Sequence, residues 1–156
     1  MGNICRSPTA HGVFQKLVKD HYLNDSIGID SAGTYAYHVG EKPDSRACAA
    51  AVNRGYDLNK IRARKIEEED FLRFDYVLAM DLGVKQDLLA LCDSKNTKKV
   101  KLFSYYATKS KNKEVPDPYY GGLSGFETAL DLIEEASAGL LKFINVKHSL
   151  EFKKHK

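Results

Sequence analysis

The stretch DYVLAMD (75–81) constrains the fold of this 156-residue chain more than any other. It is a compact apolar run of strand length ending in an acid. Helix-like patterns flank it, IEEEDFLRF (66–74) as a short helix or turn and VKQDLLALC (84–92) as a helix. A second short run, KVKLFSY (99–105), follows. Strands that alternate with helices need crossover connections, so they pair in parallel and are covered on both faces. The class predicted is α/β, a doubly wound parallel sheet in three layers.

The other elements fit this order. Ser7-Pro8 reads as an N-cap followed by proline at the first helical position. Val13, Phe14, Leu17 and Val18 recur at helical spacing, and this helix should end near His21. SIGIDSAGT (26–34) reads as a strand entering a glycine-containing loop. Asp44 begins a second helix that Gly55 stops. A long loop holds EVPDPYYGG (114–122). The segment 125–146 is an amphipathic helix with Phe126, Leu130, Ile133, Leu140, Leu141 and Ile144 on its apolar face. Three strands are visible, and none precedes the first helix. The whole is one domain over 1–156, ordered to about 146, with a basic tail over 147–156.

Composition excludes several classes. The chain has 43% hydrophobic and 29% charged residues. No apolar run approaches the ~18 residues that span a bilayer. Cys5, Cys48 and Cys92 are an odd number at unrelated spacings, which argues against a disulfide framework or a cysteine zinc site. The five histidines form no ligand pair, so no metal or cofactor is expected. A reducing cytoplasm fits this usage. Net charge is +3, with lysines gathered in 94–101, 108–113 and 151–156. These read as solvated loops and a frayed terminus, not as a nucleic-acid stripe.

Two segments carry chemistry. Gly2-Asn3-Ile4-Cys5-Arg6-Ser7-Pro8 leads straight into a helix, whose N-terminal amides and dipole suit an anion. Arg6 can fork two phosphate oxygens. Ser7 either caps the helix or donates to a thiolate. In Val115-Pro116-Asp117-Pro118-Tyr119-Tyr120 an acid sits in a stiff proline loop beside two aromatics, an arrangement suited to protonating a departing phenolate. By itself the first segment is equally compatible with an ordinary loop, and the second reads more readily as a plain proline turn with an Asp.

Together, GNICRSP, SAGT, HVGEKPD (38–44), ARKI (63–66), FDYVLAMD (74–81) and DPYY (117–120) occur in an order that closely resembles the low-molecular-weight protein tyrosine phosphatases. The resemblance runs to about residue 146. It implies a four-stranded sheet whose first, central strand is missing from this chain. It implies hydrolysis of phosphotyrosine proteins or small aryl phosphates through a phosphocysteine, with inorganic phosphate as a ligand and no metal, nucleic acid or membrane partner. Arg6 matches the phosphate-binding arginine, and Gly2, Asn3, Ile4 and Cys5 the loop whose amides face the phosphate. Asn3 resembles the loop-ordering asparagine, and Ser7 the hydroxyl that supports the thiolate. Asp117 matches the general acid. Tyr37, Tyr119 and Tyr120 match pocket aromatics, and Ser31 and Asp44 supporting polar positions. Val84 and Lys60-Ile61 depart from the family pattern.

The family signature is C-x5-R. Counting back from Arg6 places the nucleophilic cysteine immediately before Met1. Cys5 adjoins the arginine and is no substitute. A start assigned at an internal methionine gives such a chain, with roughly ten further residues in front forming a buried strand that ends in cysteine. The chain as written is then expected to be poorly stable and nearly inactive. The alternatives are a non-catalytic relative that binds phosphate or phosphotyrosine, or an arsenate reductase of the same fold. The latter needs a further cysteine pair, and Cys92 has no partner at that spacing. An N-myristoylation reading of MGNICRS fails because Arg6 stands where Ser or Thr is required.

Overall fold

The computed structural model describes residues 1–111 and 113–150. Five α-helices and two strands follow one another as α1 (Arg6–Asp20), α2 (Ser45–Asn53), α3 (Glu68–Arg73), β1 (Val77–Ala79), α4 (Leu82–Leu91), β2 (Val100–Leu102) and α5 (Leu123–His148). Two 3-10 segments, Ser94–Lys99 and Phe103–Tyr106, bracket β2. No described helix is long and apolar enough to cross a membrane.

β1 and β2 pair in parallel, Val77 opposite Val100 and Ala79 opposite Leu102. Val77, Ala79, Val100 and Leu102 face α3 and α4, where they pack with Phe71 and Leu88. Leu78 faces the opposite way, toward the cluster built by α1 and α5. That larger core joins Val13, Phe14 and Val18 to Leu130, Ile133, Leu140, Leu141 and Ile144. Full burial of a side chain such as Leu130 contributes roughly 2 kcal/mol. All six residues of the expected apolar face of α5 are buried. Gly139 lets α5 close onto the 103–106 turn. A Cβ there would stand 1.8 Å from the Tyr106 carbonyl oxygen, so no larger residue fits.

Several expectations are corrected. The 26–34 segment forms no strand. It makes one isolated parallel bridge, Gly33 to Lys65, because it lies across a cleft from β1 and has no ladder partner among the described residues. Among the described residues two strands are therefore present, not three. The run 99–105 leaves the sheet at Phe103, where the chain winds into a 3-10 turn that carries Tyr106 under α5. β1 shortens to match its three partners. Ser94–Lys99 is likewise a 3-10 segment, not a plain solvated loop, and Lys99 Nζ donates to the Phe71 carbonyl at 2.7 Å. Residues 151–156 of the basic tail lie outside the described residues.

Helix α1 begins two residues earlier than Ser7-Pro8 implies. Cys5 takes the N-cap position without a side-chain cap, and Pro8 is the third helical residue. A proline there breaks no intrahelical bond, because the first four amides of a helix have no partner within it. Asp44 does cap α2, its carboxylate accepting from the Arg46 amide at 2.8 Å. α2 ends before Gly55, whose φ of 84° turns the chain left-handed.

Candidate active site

The loop before α1 is built from a left-handed asparagine. Asn3 has φ 60°, a conformation that asparagine tolerates. Its side chain is held at both ends, with Nδ2 donating to Ser7 Oγ at 2.7 Å and Oδ1 accepting from the Arg64 amide at 3.1 Å. Ser7 is thereby an acceptor and caps nothing. Arg64 is fixed in turn by Asp30 at 3.1 Å and by both oxygens of Asp70 at 2.8 and 3.1 Å. Gly33 passes so close that a Cβ would lie 2.1 Å from the Met1 carbonyl oxygen.

Arg6 occupies the first turn of α1 and is 7% exposed. Its Nη1 donates to Asp81 Oδ2 at 2.6 Å and to the Val115 carbonyl at 2.9 Å. Asp117 Oδ2 lies 3.8 Å from Nη2. Among the described residues Nε and Nη2 make no hydrogen bond, so one edge of the guanidinium fork is left for an anion. Asp81 is the acid that ends β1 and also caps α4, accepting from the Val84 amide at 2.8 Å. Burial pushes its carboxyl up, but the Val84 amide and Arg6 outweigh burial and hold it below the usual aspartate range. The departure at Val84 thus leaves the cap intact, since the backbone makes it. Ile61, at the other departure, is buried with Ala51 and Leu58.

Cys5 is a packing residue. It is buried against Ala47 and Phe126, and burial pushes its thiol up to about 12. A thiol in that state is no nucleophile near neutral pH. Cys48 and Cys92 stand outside the cleft lining.

An open cleft of about 990 Å³ runs from this loop down between 26–34 and β1. Gly2, Asn3, Ile4, Cys5, Arg6, Ser7, Ser31, Tyr37, Asp117, Tyr119 and Tyr120 all line it, so the structure gathers nearly every residue singled out from sequence. The aromatic ones are peripheral. Tyr37 is 78% exposed and stacks on Tyr35 with centroids 5.6 Å apart. Tyr120 is 89% exposed and meets Tyr119 edge to face at 4.9 Å. Ser31 Oγ lies 3.0 Å from Nδ1 of His11, whose ring is held below its ordinary pKa by burial. Asp44 does not line the cleft. It supports the loop from behind, its amide donating to the Ile4 carbonyl at 2.7 Å.

Asp81, Arg64, His11 and His38 also line the site or brace it, and sequence reasoning assigned them no role. Asp81 had a usable signal, since ligands in α/β sheets gather at the carboxyl ends of strands. Among the described residues no three His, Cys, Asp or Glu side chains are grouped to hold a metal ion.

Comparison with known proteins agrees with this geometry. The sequence model of the low molecular weight phosphotyrosine protein phosphatases matches residues 1–150. A putative low molecular weight protein-tyrosine-phosphatase of Synechocystis is 44% identical over 142 residues, 90% of each chain. The human low molecular weight phosphotyrosine protein phosphatase is 40% identical over 130 residues, 82% of this chain and 81% of the human one. The crystal structure of a protein tyrosine phosphatase from Entamoeba histolytica with Hepes in its active site superposes with a TM-score of 0.88 at 39% identity, covering 96% of this chain and 94% of that one. The chain therefore belongs to the low molecular weight phosphotyrosine protein phosphatase family.

Proposed function

We propose that the cleft receives phosphotyrosine or a small aryl phosphate, with the phosphate on Arg6 and the loop amides and the ring among Tyr37, Tyr119 and Tyr120. The observation that carries this reading is the state of Arg6. One end of its guanidinium is anchored by Asp81 and the Val115 carbonyl, and the Nε–Nη2 edge is left open toward the cleft, with Asp117 alongside. The α1 N-terminus adds partial positive charge.

In this reading Asp117 is the general acid and base. It protonates the departing tyrosine oxygen, then takes a proton from the water that attacks the phosphocysteine. The C-x5-R spacing asks for the attacking thiolate six positions before Arg6, a place that none of Cys5, Cys48 and Cys92 holds, so residues 1–156 by themselves bind phosphate and hydrolyse its esters very slowly. A reducing, cytoplasmic setting suits thiolate chemistry of this kind.

The test compares purified 1–156 with the same chain extended by an apolar strand ending in cysteine directly before Met1. Loss of a nucleophile costs on the order of a millionfold in turnover. We expect para-nitrophenyl phosphate hydrolysis only from the extended chain, with both chains binding inorganic phosphate. Turnover on the order of one per second by 1–156 itself would refute the assignment of the nucleophile.

A further inference from the structure

Among the described residues, hydrogen bonds tie the loop carrying Asp117, residues 115–121, to the rest of the protein at two points. On its N-terminal side Val115 donates to the Met80 carbonyl at 2.8 Å and accepts from Arg6. Beyond Val115, from 116 to 121, one hydrogen bond reaches the loop from elsewhere in the protein among the described residues. It comes from Arg46, whose Nη1 donates to the Tyr119 carbonyl at 3.2 Å. The Arg46 guanidinium also lies over the Tyr119 ring, 5.4 Å from its centroid, and over Phe126 at 4.9 Å. Two further donors close on Asp44, Nε to Oδ1 at 3.1 Å and Nη2 to Oδ2 at 2.9 Å. Asp44 is in turn tied by its amide to the Ile4 carbonyl.

A continuous path thus runs from the phosphate loop through Asp44 and Arg46 to Tyr119. Asp117 sits two residues before that anchor. Its Oδ1 accepts from the Tyr119 amide at 3.1 Å, which leaves Oδ2 turned toward Arg6. Pro116 and Pro118 fix φ on either side of it. Holding Tyr119 therefore fixes the direction in which Asp117 presents its free oxygen. A planar fork suits this task better than a lysine, because it grips Asp44 with two donors while a third reaches the loop.

We propose that Arg46 is a positioning residue for Asp117, coupling the general-acid loop to the phosphate loop through Asp44. This rests on the reading of Asp117 as general acid. Arg46 touches neither phosphate nor leaving group, so its loss should spare phosphate binding and damage only proton delivery.

Two measurements test it, with Arg46→Ala and Arg46→Lys. In 1–156, NMR order parameters of the Asp117 and Tyr119 amides should fall from about 0.85 to below about 0.6 in Arg46→Ala. The Val115 amide should not change, and phosphate affinity should stay within about twofold. In the cysteine-extended chain, Arg46→Ala should slow phenyl phosphate, whose leaving group needs a proton, at least about tenfold more than 2,4-dinitrophenyl phosphate, whose leaving group does not. Asp117→Asn should show the same selectivity, larger. Arg46→Lys should fall between Arg46→Ala and the parent in both measurements, and it carries the test if the alanine variant does not fold. If Asp117→Asn shows the leaving-group effect and the Arg46 variants do not, the proposal is overturned. If Asp117→Asn shows none, the general-acid reading is what fails. Amides that stay ordered in the Arg46 variants then overturn the anchoring as well, and amides that loosen sustain it.

Discussion

Arg6 and Arg54 are both arginines in dense ion-pair clusters, and they do opposite things. Arg54 closes α2 against α5. It contacts Glu127 at 2.5 Å, Asp131 at 2.7 Å and Glu134 at 3.0 Å, and Glu127 first among them pushes its pKa up. All three acids contact the arginine, Glu134 also accepting from the Tyr56 hydroxyl at 2.8 Å, and the cluster sits on the surface with the Asp131 side chain 70% exposed. Arg6 has one close acid and one carbonyl, and it is almost fully buried. Its pairing is incomplete on the side that faces the cleft. A surface arginine closed on three acids fastens two helices, whereas a buried arginine gripped at one end keeps an edge that suits an anion.

The largest expected effect lies in phosphate binding. Arg6→Ala should weaken inorganic phosphate at least ~100-fold, about 2.7 kcal/mol, in a calorimetric titration. Arg54→Ala should leave the affinity within about twofold. Equal losses in the two variants would break the distinction between them.

The next effect is on stability. Asp81→Asn leaves the buried Arg6 charge without its acid. Removing one partner of a buried pair costs ~3–5 kcal/mol, and partial solvent access at Asp81 lowers the expectation to about 2. Urea unfolding measures it. Asp81, held by the Val84 amide and by Arg6, should also mark the acid limb. Folded Asp81 titrates below the ordinary aspartate value of about 3.9, so its contribution is complete above that value and is lost as pH falls through the folded one. Asp81→Asn should therefore flatten the decline of stability with falling pH in that window. An unchanged decline would mean that neither the Val84 amide nor Arg6 holds Asp81 in solution.

The smallest effect belongs to the more crowded cluster. Arg54→Ala should cost only about 0.5–1 kcal/mol in the same urea experiment, because exposed ion pairs are screened and lose side-chain entropy. A loss above that of Asp81→Asn would reverse the ranking of the two clusters.

Legibility in the sequence followed the range of the interaction. The apolar periods of α1 and α5, the Asp44 cap and the Gly55 stop are local features, and each is where its pattern places it. The 26–34 run carries the same kind of strand pattern as 75–81, yet only the latter finds a ladder partner. A strand is a property of two segments, and one segment's composition does not contain the other. Ser7 shows the same limit at a single side chain. Its position before Pro8 suggests a cap, but Asn3 reaches it first.

The candidate site divides along that line. The order of GNICRSP and DPYY singled out Arg6 and Asp117, which line one cleft in the structure, because each motif is contiguous and its chemistry is local. Only the tertiary structure brought Asp81 against Arg6 across 75 residues, Arg64 against Asn3 across 61 and Arg46 against Tyr119 across 73. Those contacts depend on where β1, α2 and the 114–122 loop converge, which no short window of sequence encodes. The sequence by itself determined which groups can hold a phosphate and supply a proton; the packing of the elements decided which edge of Arg6 stays open to receive it.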